Sequence, residues 1–107
     1  RIGPGPRGIG NDRQALTDAD KEGRDLFKSW CEEAGLAVRT DSMGNMFARR
    51  PGMSPDALPV ATGSHLDTQP TGGRFDGVLG VLGALEVVRR LDELGIKTER
   101  PIEIINW

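Results

Sequence analysis

The sequence predicts an α/β fold in which helices flank a mixed sheet, and three observations predict it. Apolar residues at three- and four-residue spacing mark a helix over 18–34, and two short alternating segments over 36–50 mark a hairpin. An apolar strand, an apolar helix and a second apolar strand over 60–107 mark a βαβ unit, whose crossover is expected to be right-handed. A hairpin is antiparallel and a βαβ unit is parallel, so the sheet that combines them is mixed.

Residues 1–17 are expected to be a loop. Gly3, Pro4, Gly5, Pro6, Gly8 and Gly10 cannot sustain a helix or strand, and the glycines do not recur every third residue as collagen requires. A phosphate-binding nest is a poor reading, because no strand precedes these glycines and no Gly-Lys-Ser/Thr follows. Thr17 is placed to cap the first helix, and Asp18, Asp20 and Glu22 lie where the helix dipole favours negative charge. Leu26, Phe27, Trp30, Cys31 and Ala34 form its apolar stripe, and Gly35 stops it. Cys31 lies on that stripe and reads as a small buried hydrophobe. Gly23, inside the helix, lowers its stability by about 1 kcal/mol relative to alanine.

In the hairpin, 36–40 and 45–50 are the strands and Asp41-Ser42-Met43-Gly44-Asn45 supplies turn chemistry. Val60–Ser64 reads as a strand buried on both faces. The second helix, over 77–94 and opened by Asp76, is apolar nearly all round in its first half and is expected to be covered on several sides. Gly77, Gly80 and Gly83 recur every three residues and offer a smooth strip to a neighbouring strand; their spacing is wrong for a dinucleotide fingerprint. Gly95 stops this helix. Residues 101–107 read as a central strand, with one edge left open where the sequence ends.

Composition narrows the function. One domain at most fits 107 residues. Lys plus Arg number 14 and Asp plus Glu 16, a net charge of −2 that speaks against a nucleic-acid or anionic-membrane partner. The longest uncharged apolar stretch, 77–85, falls far short of the roughly 20 residues of a membrane span. The first residue is Arg1 rather than Met, and Trp107 lies inside an expected strand, so a piece of a longer protein is expected. A single cysteine is compatible with a reducing compartment.

Chemistry concentrates in Gly63-Ser64-His65-Leu66-Asp67-Thr68 and Gly72-Gly73-Arg74-Phe75-Asp76-Gly77. His65, the one histidine, stands where a strand ends, and α/β sheets bind ligands beyond the carboxyl ends of their strands. His65 and Asp67 are two apart, so an extended backbone points both the same way. Asp76, at a helix start, faces the same crevice if the loop folds back, and Gly72 and Gly73 let the backbone pass close to a bound ion or substrate. One imidazole and two carboxylates suit zinc, manganese, cobalt or nickel. The plainer alternatives are a hydrogen-bonded histidine with no ligand and an Asp76 that only caps the helix.

These words, with the Gly35-Leu36 turn, the Asp41-to-Asn45 segment and the 101–107 strand in the same order, resemble the hydantoinase/carbamoylase family of amidases, within the clan of di-metal aminoacylases and exopeptidases. The resemblance covers nearly the whole sequence. It implies that residues 1–107 are the N-terminal part of a metal-binding catalytic domain of di-metal exopeptidase-like fold, without the lid and dimerisation domain. It implies two divalent metal ions, with His65 a ligand of one, Asp76 the carboxylate that bridges both, and Asp67 the carboxylate behind His65 that sets its orientation and basicity. In the family, a Glu-Glu pair directly follows the strand matching 101–107, and two histidines come later. The resemblance therefore implies that the base and the remaining ligands lie beyond Trp107, and that the 107 residues by themselves are inert.

The activity implied is hydrolysis of the carbamoyl C–N bond of a small N-carbamoyl amino acid, by a cytoplasmic homodimer. Gln69-Pro70 after the histidine motif resembles the carbamoylase and ureidopropionase branch more than the allantoate branch. The alternatives are hydrolysis of allantoate, acyl-amino acids or peptides within the clan, or a non-catalytic module that keeps the fold. A Thr-Asn-Glu-Glu-Gly sequence downstream would favour the enzyme.

Overall fold

The computed structural model describes residues 2–107. Its first element is a short 3₁₀ turn at Pro6–Gly8, within the expected 1–17 loop. Isolated bridges tie Pro4 to Asn11 and Asn11 to Gly72, so this loop lies against the one that follows the histidine motif.

Helix α1 spans Asp18–Glu33, and the Thr17 hydroxyl accepts from the Asp20 N–H at 3.3 Å, as its capping role requires. Phe27 and Cys31 of the stripe are fully buried, Trp30 and Ala34 half-buried, and Leu26 exposed. Gly35 follows in the left-handed conformation. Strands β1, Ala37–Thr40, and β2, Met46–Arg50, form the hairpin, with Val38 opposite Ala48. In its turn the Asp41 carboxylate accepts from the backbone N–H groups of Met43 and Asn45 and from the Asn45 side chain, at 2.9–3.0 Å. Asn45 thereby holds the Asp41 carboxyl below its ordinary value.

Strand β3 is Val60–Ser64, helix α2 is Val78–Glu93 and strand β4 is Ile102–Asn106. The sheet order is β1-β2-β4-β3, with β4 antiparallel to β2 and parallel to β3. The predicted α/β class and mixed sheet are what the structure has. Both helices share one core with the sheet: Phe27 and Cys31 from α1 and Val81, Leu85 and Val88 from α2 pack with Met46, Ala48 and Ile104. Both helices therefore lie on one face.

Several expectations are corrected. Strand β3 is not buried on both faces; it is the sheet edge, exposed from Val60 through Gly63, because within these residues only β4 pairs with it. Strand β4 has no open edge, since β2 and β3 flank it. Helix α2 is covered on one side only: Val81, Ala84, Leu85 and Val88 are buried, whereas Leu79 is 68% exposed and Val87 57%. The plainer alternative for Asp76, that it only caps α2, is not what the structure has. The N-cap residue is Gly77, at φ 69°, and no side chain bonds the first turn. The glycine strip is also shorter than expected. A Cβ at Gly80 would stand 2.7 Å from the Ser64 Cβ, but one at Gly83 would meet nothing within 4 Å.

Candidate metal centre

The polypeptide leaves the sheet after Ser64, and His65, Leu66 and Asp67 continue past the carboxyl end of β3. The imidazole of His65 is oriented from both sides. Its Nδ1 lies 2.9 Å from the main-chain oxygen of Asp67 and 3.2 Å from Asp67 Oδ1. Its Nε2 lies 3.8 Å from Asp76 Oδ1. All three side chains are partly open to solvent. Two acceptors beside Nδ1 favour the tautomer with its proton there, which leaves a lone pair on Nε2 directed to the Asp76 side. The loop does fold back, so residues eleven apart in sequence meet.

Gly77 makes that approach possible. A Cβ there would stand 2.3 Å from the His65 main-chain oxygen and 2.6 Å from the ring atoms Nδ1 and Cε1. Its positive φ also turns the chain between Asp76 and α2. Gly72 is buried; its carbonyl accepts from the Asn11 N–H at 2.9 Å, and its N–H donates to the Asn11 carbonyl at 2.8 Å. Gly73 is exposed. On its other side, Asp67 lines a cleft of about 350 Å³ with Leu16, Asp20, Arg24, Asn45 and Trp107.

The structure thus brings together His65, Asp67 and Asp76. The donor chemistry, one imidazole nitrogen and one carboxylate facing each other with a second carboxylate behind the ring, fits part of a divalent-metal site. Among the described residues, no group of three or more His, Cys, Asp or Glu side chains is arranged to hold an ion. A catalytic zinc takes about three protein ligands, so this pair by itself does not complete such a site. Cys31 plays no part, because it is buried in the core and burial pushes its thiol up to about 12.

Two polar residues that the sequence did not single out sit beside the site. Asn106, at the end of β4, and Arg13, in the N-terminal loop, are both buried and bond the backbone of Leu66. For Asn106 a signal was present, as a polar residue closing the run Ile102, Ile104 and Ile105. Arg13 had none, since nothing local distinguishes it from a surface arginine.

No family model matches the chain. It is 68% identical over 107 residues, all of its length, to an N-carbamoyl-L-amino-acid amidohydrolase of Rhizobium meliloti, covering 26% of that protein. It is 45% identical over 93 residues to a ureidoglycolate hydrolase of Arabidopsis thaliana, 87% of this chain and 20% of that one. The crystal structure of a hydantoinase/carbamoylase family amidase from Burkholderia ambifaria superposes over 100% of this chain and 26% of its own, with TM-score 0.97 and 61% identity. The chain spans about a quarter of the length of the relatives it matches.

Proposed function

The chain belongs to the hydantoinase/carbamoylase family of amidases, and on that premise we propose that it is the part of a metal-dependent amidohydrolase that carries His65 and Asp76 to the metal centre. The substrate is a small N-carbamoyl amino acid, whose ureido C–N bond is cleaved to give the free amino acid, ammonia and carbon dioxide. The likeness to the N-carbamoyl-L-amino-acid amidohydrolase supports this choice over the other activities of the clan. The Arabidopsis relative favours one second reading, a ureidoglycolate substrate; parallel rate measurements on the two substrates separate them. The homodimer and the cytoplasmic location implied by the resemblance belong to the same proposal. Among the described residues no helix is long and apolar enough to cross a membrane.

One observation carries the proposal: the His65 ring is held at Nδ1 by Asp67 and presents Nε2 toward Asp76. His65 Nε2 and Asp76 would hold divalent metal, zinc, manganese, cobalt or nickel, with Asp76 bridging two ions. The chemistry a metal would supply there is a water of lowered pKa and a polarised scissile carbonyl. Asp67 accepts a hydrogen bond from Nδ1–H, which orients the ring and fixes the tautomer. Gly77 keeps the ring's flank clear, so that no side chain pushes the imidazole from this position. Residues beyond Trp107 supply the general base and the other ligands.

The test uses the full-length protein. His65→Ala and Asp76→Ala each abolish turnover and lower bound metal, measured by elemental analysis, with Asp76→Ala losing more. Asp67→Asn keeps most of the metal and turns over about 10–100-fold more slowly. A fully active, metal-depleted Asp76→Ala protein would refute the assignment.

A further inference from the structure

Leu66 sits between His65 and Asp67, whose main-chain oxygen and carboxylate lie beside the imidazole Nδ1, and both polar groups of its backbone are held by buried side chains. Its N–H donates to Asn106 Oδ1 at 2.8 Å. Its carbonyl accepts from Arg13 Nε at 2.8 Å. Asn106 is 1% exposed and Arg13 7%. The last β3–β4 pair is Ser64 with Asn106, so two residues beyond it a side-chain amide takes the place of the strand as acceptor. The backbone can then turn out of the sheet at His65 without leaving a buried N–H unpaired.

The amide of Asn106 has only one orientation that satisfies its neighbours. The Leu66 N–H can only donate, so it needs the oxygen. The nitrogen then faces Met46 Sδ, a weak acceptor, at 3.6 Å. Arg13 is equally fixed. Its Nη1 donates to the Ile2 carbonyl at 2.9 Å, its N–H to Thr68 Oγ1 at 2.8 Å, and its carbonyl accepts from the Thr68 N–H at 2.8 Å. Gly23 makes room for it, since a Cβ there would stand 2.9 Å from Arg13 Cδ. The glycine that weakens α1 is the notch through which the guanidinium reaches Leu66.

We propose that Asn106 and Arg13 are positioning residues: they clamp the Leu66 peptide from its two sides and thereby hold His65 and Asp67 at the spacing that directs Nε2. Neither side chain contacts the imidazole, so their effect on it runs through the backbone. The inference rests on the reading of His65 and Asp67 given above.

The experiment is hydrogen exchange and steady-state kinetics on the full-length protein and its variants Asn106→Leu, Asn106→Asp and Arg13→Met. Asn106→Leu removes the acceptor at similar volume, and Asn106→Asp keeps an oxygen in place. In Asn106→Leu and Arg13→Met, amides of residues 65–68 exchange at least about tenfold faster while those of 102–105 keep their rates. Their kcat falls about 10–100-fold with KM little changed, and Asn106→Asp recovers most of the loss. Uniform acceleration across the sheet, unchanged exchange at 65–68, unchanged kcat, or failure of Asn106→Asp to recover the rate overturns the clamp. Local exchange that changes as expected in a protein that binds no metal and hydrolyses no ureido substrate would instead sink the proposed function.

Discussion

Strands β2 and β3 both pair with β4, one on each side, yet they live in opposite surroundings. Met46, Ala48 and Arg50 of β2 are buried under the helices, and β1 closes the outer side. Strand β3 leads into the His65 segment and is exposed along most of its length. The outer side of α2, which packs on β3, is exposed at Leu79 and Val87. By sequence the ranking was the reverse, because an uninterrupted run of apolar and small residues reads as more deeply buried than an alternating hairpin strand. Burial depends on what stands beside a strand, and the flank that supports β2 is complete within these residues. The flank that leads to His65 has no such cover within these residues.

Substitutions can sharpen this contrast. The largest effect is expected on the covered side. Phe27→Ala removes a ring that is 1% exposed and should lower stability by about 3–5 kcal/mol in urea denaturation. Leu79→Ala in the 107-residue chain should stay within about 0.5 kcal/mol. The same change in the full-length protein should cost about 2–5 kcal/mol if a further element covers α2 there. Equal small values in both would break the comparison.

Association comes next. The isolated chain should self-associate through the open β3 edge, and Val60→Lys should shift it toward monomer in sedimentation, because an edge lysine opposes strand pairing. A sharp monomer before the substitution would show that the edge needs no cover.

The thiol of Cys31 tests the covered side chemically. Burial raises its pKa to about 12, so at pH 8 the native protein should resist iodoacetamide and react only on unfolding. Rapid native labelling would mean that α1 lifts from the sheet.

The smallest effect concerns the hairpin turn. Asp41 has a lowered pKa in the fold, so its contribution is present above the unfolded value of about 3.9 and lost as pH falls through the lower folded value. A pH series of thermal melts should show this loss at the acidic end and a flatter profile for Asp41→Asn. Identical profiles would remove Asp41 from the account of the turn.

Much of the molecule was legible in local pattern. The stripe of Phe27 and Cys31, the Thr17 cap, the Asp41–Asn45 turn and the Gly35 stop are set by neighbours within a few residues, where spacing and side-chain chemistry act directly. His65 and Asp67 were legible for the same reason, since two residues apart in an extended segment they share a side. Asp76 was expected to face His65 and lies 3.8 Å from its Nε2, whereas the plainer alternative, a carboxylate that only caps α2, is not what the structure has. The loop's return toward His65, which no local pattern encodes, makes that difference.

What the sequence by itself determined is therefore the set of elements, the α/β class they imply and the residue types gathered at one strand end, all of which are read from patterns at short separation. The tertiary structure alone decided which strand is the edge, which side of α2 is bare, why Gly23 and Gly77 have no side chain, and how Asn106 and Arg13 reach Leu66 from 40 and 53 residues away. Those contacts depend on the packing of segments remote in sequence. No local periodicity encodes them, because the energy of a buried hydrogen bond or a close approach exists only once both partners are in place.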